Sequence, residues 1–310
     1  MNSHSHIDTS SKTLPVLPPL PQLVFAGKVP EWDFSNLVHR VCPACLNDDN
    51  VDICQRPDRL VVSKCTQCEM IYLPLIPSNE QLRRFYSVYS TYKVFSPPSL
   101  LYRIFKFNSQ NPHLNILLST GGIRGKKICE IGCSYGHFLD LCRQRNASVL
   151  GVEWDKEAIE YLRNNNIATA IELPQDIKFD IICAFQLIEH LEDPRDFFRK
   201  VSSSLTQDGR LLLSFPNGGE IGVIGSTWLG FRVDLEHLNY FSLLSLSNFL
   251  KDCGLYVEQY WEYGQPGILR QQQNSLCNRI SKKLLSSVNS EIYPKFSDGK
   301  FVLTVLARKI

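Results

Sequence analysis

Two Cys-x-x-Cys pairs form the clearest metal-binding pattern of the chain. Cys42 and Cys45 make the first pair, and Cys65 and Cys68 make the second. Thiolates at this spacing can converge on one ion and fill all four tetrahedral positions, which is typical of structural zinc and leaves no position for catalysis. Four structural or redox-active cysteines are the alternative. We favour a structural Zn²⁺ site, because a module this small needs metal to contribute folding free energy.

A glycine-rich turn is the second pattern with chemical meaning. The apolar run 127–131 is followed by the closely spaced Gly132 and Gly136, and then by a helical pattern. Such a turn lets the backbone pass close to a ligand. A second apolar run ends at Glu153, where a carboxylate can accept hydrogen bonds from both hydroxyls of a ribose. The two patterns together predict a nucleotide-cofactor site, with a solvent-facing Glu153 as the alternative.

Histidines are the candidates for proton transfer. His190 and His237 are both chosen by residue type, since imidazole titrates near neutral pH. His237 and Tyr240 lie in the segment after the fifth predicted strand, and ligands of open α/β sheets bind beyond the carboxyl ends of strands. For His237, contact with a substrate competes with a role in ordering the loop. For His190, a local structural hydrogen bond is favoured. In the same glycine-rich segment, Arg232 is either a grip for phosphate or carboxylate, or a solvated side chain.

Composition limits the class of protein. The chain has 310 residues and is 44% hydrophobic, enough for an α/β core and a small extra module. A net charge of +2, from 33 basic and 31 acidic residues, lacks the excess of positive charge that is typical of proteins that bind nucleic acid. No apolar run approaches the ~18 residues of a membrane span. The odd number of cysteines, 11, argues against a disulfide framework. We expect a cytoplasmic protein.

Strands and helices alternate from residue 126 onward. Repeated βα units predict a doubly wound, Rossmann-like α/β fold with a seven-stranded, mostly parallel sheet. A turn signal at 297–299 indicates that the last strand enters antiparallel. The strands are predicted at 127–131, 148–153, 168–172, 179–185, 210–215, 255–262 and 301–308, and helices follow the capping residues Asp155, Asp193 and Ser242.

The same patterns divide the chain into five parts. Residues 1–35 are rich in Ser and Pro and predict a disordered tail. A zinc-ribbon-like module follows at 36–77, and connecting or cap helices follow at 78–119. The cofactor-binding domain is expected at 120–264, and a C-terminal helix and the final strand at 265–310.

With these residues in place, the chain resembles class I S-adenosylmethionine-dependent methyltransferases. The N-terminal portion, with the second cysteine pair and 69–82, looks like the zinc-binding extension of bacterial small-molecule and sugar methyltransferases. The stretches that resemble the family's motifs are Glu130-x-Gly132-x-Ser134-x-Gly136, Gly151 to Glu153, Phe179 to Pro194, Asp208 to Asn217, and Glu236 to Ser242.

The resemblance implies the roles of several residues. The glycine loop would meet the methionine part of S-adenosylmethionine, Glu130 would anchor its ammonium group, and Glu153 would hold the ribose, with Trp154 beside it. Two positions depart from the family pattern: Ser134 replaces the middle glycine of the loop, and Gln186 stands where relatives often have Asp. Ser134 fits if its dihedrals are ordinary, whereas Gln186 alters the floor of the cofactor pocket.

Three functions remain open from the sequence. We favour methyl transfer to a small-molecule acceptor, such as a sugar, a glycan or a natural-product intermediate. An NAD(P)-dependent oxidoreductase shares the glycine loop and the ribose acid, but Glu189-His190 and the lack of a nearby Tyr-x-x-x-Lys relay argue against it. A non-catalytic zinc and Rossmann binding module is the third. The acceptor atom and the oligomeric state are left open.

Overall fold

The computed structural model describes residues 14–20, 29–92, 111–264 and 300–310. The strands are β1 Leu37–His39, β2 Asn50–Gln55, β3 Val61–Cys65, β4 Ile71–Tyr72, β5 Leu75–Pro77, β6 Lys127–Ile131, β7 Ser148–Val152, β8 Ala168–Ala170, β9 Phe179–Phe185, β10 Leu205–Pro216, β11 Asn239–Tyr240, β12 Leu255–Tyr263 and β13 Val302–Lys309. The helices are α1 Asn79–Tyr92, α2 Pro112–Ser119, α3 His137–Arg143, α4 Lys156–Asn164, α5 Pro194–Ser204, α6 Ile221–Ile224 and α7 Leu243–Asp252.

The predicted capping residues start their helices. Asp155 accepts a hydrogen bond from the backbone N–H of Ala158 at the start of α4. Asp193 does the same for α5, where Pro194 occupies the first turn. Ser242 forms a capping box with Ser245 at the start of α7. Each side chain satisfies a backbone donor that the helix itself cannot pair, which fixes where the helix begins.

Seven strands form one mixed sheet in the order β12-β13-β10-β9-β6-β7-β8. The β8, β7, β6, β9 and β10 strands pair parallel with their neighbours. The final strand, β13, runs antiparallel to both β10 and β12. The predicted Rossmann-like fold and the antiparallel entry of the last strand are therefore confirmed. The turn after β6 and the ends of β7 and β9 lie at the same edge of the sheet.

A smaller sheet joins the N-terminal module to the rest of the chain. Its strand order is β11-β4-β3-β2. The edge strand β11 comes after β10 in the chain, whereas β2, β3 and β4 belong to the N-terminal module. Asn239 pairs with Tyr72, and Tyr240 pairs with Ile71. One apolar cluster includes Leu73 of the module and Trp228. The proposed boundary near residue 77 is thus crossed by both backbone pairing and core packing.

Part of the expected disordered tail is ordered instead. The backbone N–H of Leu17 donates to the Gln55 carbonyl, and the N–H of Gln55 donates to the Pro15 carbonyl, both at 2.8 Å. Leu17 and Leu20 are buried. The prediction failed here because an extended proline-containing segment can pair with a strand edge and bury isolated leucines. Residues 1–13 and 21–28 lie outside the described residues, and so do residues 93–110, where cap helices are predicted, and residues 265–299, where a C-terminal helix is predicted.

Within the described residues, no helix has both the length and the apolar character needed to cross a membrane.

Candidate active site

The glycine-rich turn between β6 and α3 has an unusual backbone conformation. Gly132, Ser134 and Gly136 all have positive φ values, of 72°, 48° and 65°. A Cβ atom at Gly136 would collide with Leu162 Cδ2, so the position requires glycine for space as well as for conformation. Ser134 does not have the ordinary dihedrals expected for a serine in this loop, because the turn places it in the left-handed region. Its backbone N–H is paired with a carboxylate across the turn.

That carboxylate belongs to Glu153, which directly follows β7. Its Oε2 accepts from the Ser134 N–H at 2.7 Å, and its Oε1 accepts from the N–H groups of Trp154 at 2.7 Å and Asp155 at 3.0 Å. Since β6 and β7 are parallel neighbours, their carboxyl ends bring the acid and the turn together. The side chain thus faces the glycine turn, where the sequence places the ribose.

Glu130, inside β6, is buried below the same turn. It is 6% exposed, and its Oε2 has no hydrogen-bond partner among the described residues. Burial, and to a smaller extent repulsion from Glu153, raises the pKa of Glu130 well above its usual value. A buried carboxyl group in this position would be stabilised by a cation placed against it. The turn and its two acids therefore fit a ligand that has an ammonium group at one end and a sugar at the other.

Two further cofactor candidates lie at the same edge of the large sheet. Trp154 is 79% exposed, and its indole N–H donates to the Ile171 carbonyl at 3.0 Å, just beyond β8. Gln186 directly follows β9, has a φ of 51°, and donates from its backbone N–H to the Ser214 carbonyl at 2.7 Å. The glutamine side chain is exposed. Trp154 comes just after β7 and Gln186 just after β9, the two strands that flank β6.

The two candidate histidines lie side by side. The rings of His190 and His237 are 4.7 Å apart between centroids and cross at 78°. Glu189, in the short turn Ile188–His190, is buried and offers a carboxylate oxygen to the same cluster. From the sequence, the two histidines were separate candidates and Glu189 had no predicted role. The signal for Glu189 was its place beside His190 in the loop after β9.

Tyr240, predicted as a catalytic residue, has a structural role instead. The side chain is 2% exposed, and its hydroxyl accepts from Arg56 Nη1 at 2.8 Å. Burial raises the pKa of Tyr240 to about 12, which opposes ionisation at neutral pH. Its ring packs against Trp228 and Phe231. Tyr240 therefore anchors the segment that carries His237, because β11 folds back into the small sheet.

Arg232 is likewise turned away from a substrate role. It is 6% exposed, and its Nε donates to the Pro18 carbonyl at 2.9 Å. Both predictions for Arg232 are wrong, because the side chain is neither solvated nor free to grip a phosphate or carboxylate. The ordered N-terminal segment supplies its partner, and that segment had been predicted to be disordered.

A buried ion pair of the N-terminal module holds the His237 segment. Arg56 pairs with Asp58, and both are at most 2% exposed. The Arg56 guanidinium also donates to the carbonyls of Leu235 and, at 2.7 Å, His237. Arg56 could not be recognised from the sequence, because nothing local marks a buried arginine whose partners lie far along the chain.

The four cysteines form a compact cluster that fits a tetrahedral ion. Cys42 Sγ and Cys68 Sγ are 3.5 Å apart, as are Cys45 Sγ and Cys65 Sγ, and all four atoms lie within 4.8 Å of one another. Thiolates on one zinc stand about 3.8 Å apart, given Zn–S bonds of about 2.3 Å.

The two cysteine loops share one backbone conformation. The residues that follow the pairs, Leu46 and Glu69, have φ values of 65° and 61°. Their N–H groups donate to the carbonyls of Cys42 and Cys65, at 2.9 and 3.1 Å. Two equivalent loops thus present paired thiols to one point, which is the arrangement that a closed four-thiolate site needs.

Comparison with known proteins identifies the family. Residues 102–260, about half of the chain, match the family described as "Methyltransferase domain". The chain belongs to this family.

Curated relatives match over shorter stretches. A ubiquinone biosynthesis O-methyltransferase of Aeromonas salmonicida is 26% identical over 110 residues, which are 32% of this chain and 46% of the relative. Another, of Pseudomonas aeruginosa, is 25% identical over 136 residues, 38% of this chain and 59% of the relative. The chain spans about half the length of these relatives. A solved S-adenosylmethionine-dependent methyltransferase from Mesorhizobium loti aligns over 64% of this chain and 96% of its own, with 19% identity and a TM-score of 0.45.

Proposed function

We propose that this protein transfers a methyl group from S-adenosylmethionine to a small-molecule acceptor. The observation that carries the proposal is the pair of acids at the glycine turn. Glu130 is buried, with an oxygen that has no partner among the described residues, and Glu153 faces the turn from the next strand. Membership of the methyltransferase domain family supports the choice of this cofactor over others that use a similar turn.

The residues of the turn have separable roles in this proposal. Glu130 pairs with the ammonium group, and Glu153 accepts hydrogen bonds from the ribose hydroxyls, as the family resemblance implies. Gly132 and Gly136 let the backbone adopt the positive φ values of the turn without steric cost. Trp154 and Gln186 border the adenine and methyl ends. The cofactor supplies an already activated methyl group when it is bound, so the protein mainly positions the reactants, an effect worth ~7–11 kcal/mol when the geometry is good.

A small acceptor with exchangeable protons fits the other side of the site. Glu189, His190 and His237 cluster beyond the end of β9, where ligands of open α/β sheets bind. The printed names of the curated relatives indicate O-methylation of a small molecule. A sugar, a glycan or a natural-product intermediate is the acceptor that we propose. The near-zero net charge of the chain supports this choice over nucleic acid.

The experiment that tests this function is calorimetric titration with three ligands: S-adenosylmethionine, S-adenosylhomocysteine and NADH. We expect heat from the first two and none from NADH. Glu153→Ala should weaken binding by about ten- to a hundredfold, because it removes hydrogen bonds to a charged group. Glu157→Ala, on the exposed face of α4, is the matched control and should bind like the wild type. Heat from NADH alone, or from none of the three, would contradict the proposal.

A further inference from the structure

Glu189, His190 and His237 form a second cluster of metal-ligating side chains, separate from the four cysteines. One donor atom from each residue lies within 4.8 Å of the other two. Ligands of one divalent ion stand ~3.0–3.4 Å apart when they are neighbours and ~4.2 Å apart when they are opposite, given bonds of ~2.1 Å. The three donor atoms are therefore close enough for small side-chain rotations to bring them onto one ion. Glu189 is 2% exposed and His237 is 4% exposed, so the cluster is not a chance grouping of surface charges.

Backbone and side-chain hydrogen bonds fix the two segments that carry these residues. The N–H of Leu238 donates to the carbonyl of Glu189 at 2.8 Å. Asn239 Nδ2 donates to the carbonyl of Leu191 at 2.7 Å. The His237 carbonyl accepts from Arg56 on the opposite side. The loop after β9 and the segment before β11 are thus held in one arrangement, as preorganised ligands must be.

The donor set determines which ion would fit. Two imidazoles and one carboxylate form the ligand set of mononuclear sites that hold divalent first-row metals and keep positions open for other ligands. The four cysteines differ, because soft thiolates select zinc and close its coordination. We propose that Glu189, His190 and His237 bind a divalent metal ion, such as Mn²⁺, on the acceptor side of the site.

The position of the cluster suggests what the ion does, and this step rests on the proposed function. Glu189 lies three residues after Gln186, at the same sheet edge as the glycine turn. A divalent ion lowers the pKa of a hydroxyl that ligates it, and the released proton passes to water. The oxygen then forms a bond to the methyl carbon as the carbon–sulfur bond breaks, and that bond's electron pair stays on sulfur. The acceptor class is a hydroxyl compound with a second oxygen close enough to ligate the same ion.

Titration with Mn²⁺ of the full chain loaded with a single equivalent of zinc, which the four cysteines take, tests the site, with free Mn²⁺ followed by electron paramagnetic resonance. Mn²⁺ is the probe because thiolates are poor ligands for it, so the cysteine cluster does not interfere. We expect one bound Mn²⁺ per chain. Glu189→Gln and His237→Ala should each weaken Mn²⁺ binding by at least ~10-fold. Substitution of residues that only hold the metal ligands in place already costs that much, so loss of a ligand should cost no less. The control His39→Ala removes an exposed imidazole on β1 and should leave binding unchanged.

The outcomes separate this inference from the proposed function. Failure of the wild-type chain to bind Mn²⁺ at millimolar concentration would overturn the metal site. This result does not require any variant to fold. Undiminished Mn²⁺ binding by both variants would overturn it too. S-adenosylmethionine is titrated into the same samples. Cofactor binding without Mn²⁺ binding rejects the metal site alone, whereas Mn²⁺ binding without cofactor binding rejects the methyltransferase proposal and keeps the metal site.

Discussion

Glu130 is a buried carboxyl group at the glycine turn, and its burial makes its contribution to the stability of the protein depend on pH. Its pKa is raised above the usual value by burial, so the folded chain holds the proton more tightly than the unfolded chain does. The stabilising contribution is complete below the ordinary carboxyl pKa and is lost as pH rises through the raised value. Between pH 5 and pH 8 the cofactor-free protein should therefore lose the part of its stability that depends on this proton.

Glu130→Gln should remove that loss, since the amide resembles the protonated acid and does not ionise. We expect the melting temperature of the cofactor-free variant to rise relative to the wild type as pH increases from 5 to 8. Thermal unfolding across this range, with Glu157→Gln on an exposed helix face as the control, measures the effect. A difference between Glu130→Gln and the wild type that stays constant with pH would show that Glu130 is already ionised and compensated in the folded chain.

Individual site residues could be chosen from the sequence more easily than their surroundings could. Glu130 and Glu153 were identifiable because Glu130 lies near the end of a strand that periodicity marks and Glu153 directly follows another. The left-handed conformation of Ser134 and the engagement of Tyr240 by Arg56 were not, because neither leaves a local signal. The meeting of His190 with His237 depends on β11 folding back, and a two-residue strand has no periodicity to detect.

The glycine turn should tolerate alanine poorly at one position. Gly136→Ala places a side chain in the left-handed region and against Leu162. Gly122 is the matched control, with a φ of 73° and nothing within 4 Å of an added Cβ atom. Both variants carry backbone strain of ~1–3 kcal/mol, but only Gly136→Ala adds a clash at the cofactor turn.

Chemical denaturation and calorimetry together measure the comparison. We expect Gly136→Ala to be the less stable variant and to bind S-adenosylmethionine more weakly, while Gly122→Ala keeps the wild-type affinity. Equal affinities for the two variants would mean that the turn does not shape the cofactor crevice.

Repeated elements explain how much of the fold was predictable. Alternating apolar strands and capped helices identified the strands of the large sheet, because each βα unit carries its own start and stop signals. The predicted fifth strand began at 210, whereas β10 begins at Leu205 and shifts register before Arg210. Asp208 and Gly209 lie within that shift and belong to the strand.

The buried pair Arg56–Asp58 links the N-terminal module to the segment that carries His237. Arg56→Met should destabilise the chain by about 3–5 kcal/mol, because it leaves the Asp58 carboxylate buried without its cation. Lys64→Met, which breaks an exposed pair with Glu69, should cost under about 1 kcal/mol. Denaturant unfolding of both variants tests the contrast. Similar losses for the two would show that the buried pair adds nothing beyond a surface ion pair.

We further propose that the cysteine cluster holds one structural Zn²⁺ per chain. Elemental analysis of purified protein should find one equivalent of zinc, and Cys65→Ser should lose it. Since β11 belongs to the same small sheet, zinc loss should also lower the melting temperature of the chain as a whole. Cys54→Ala, which changes a buried thiol outside the cluster, is the control and should retain zinc. A zinc-free wild-type protein, or full zinc retention by Cys65→Ser, would contradict the assignment.

The N-terminal module and the methyltransferase domain therefore share one sheet, and the cysteine-containing module positions the segment that carries His237. This account depends on the cofactor lying between Glu130 and Glu153. A crystal structure with S-adenosylhomocysteine tests that most directly. We expect density for the ligand along the turn from Gly132 to Gly136, with its amino group against Glu130 and its ribose hydroxyls on Glu153. Density elsewhere, or a Glu153 side chain that stays on the Ser134 N–H and leaves the ribose unbound, would contradict it.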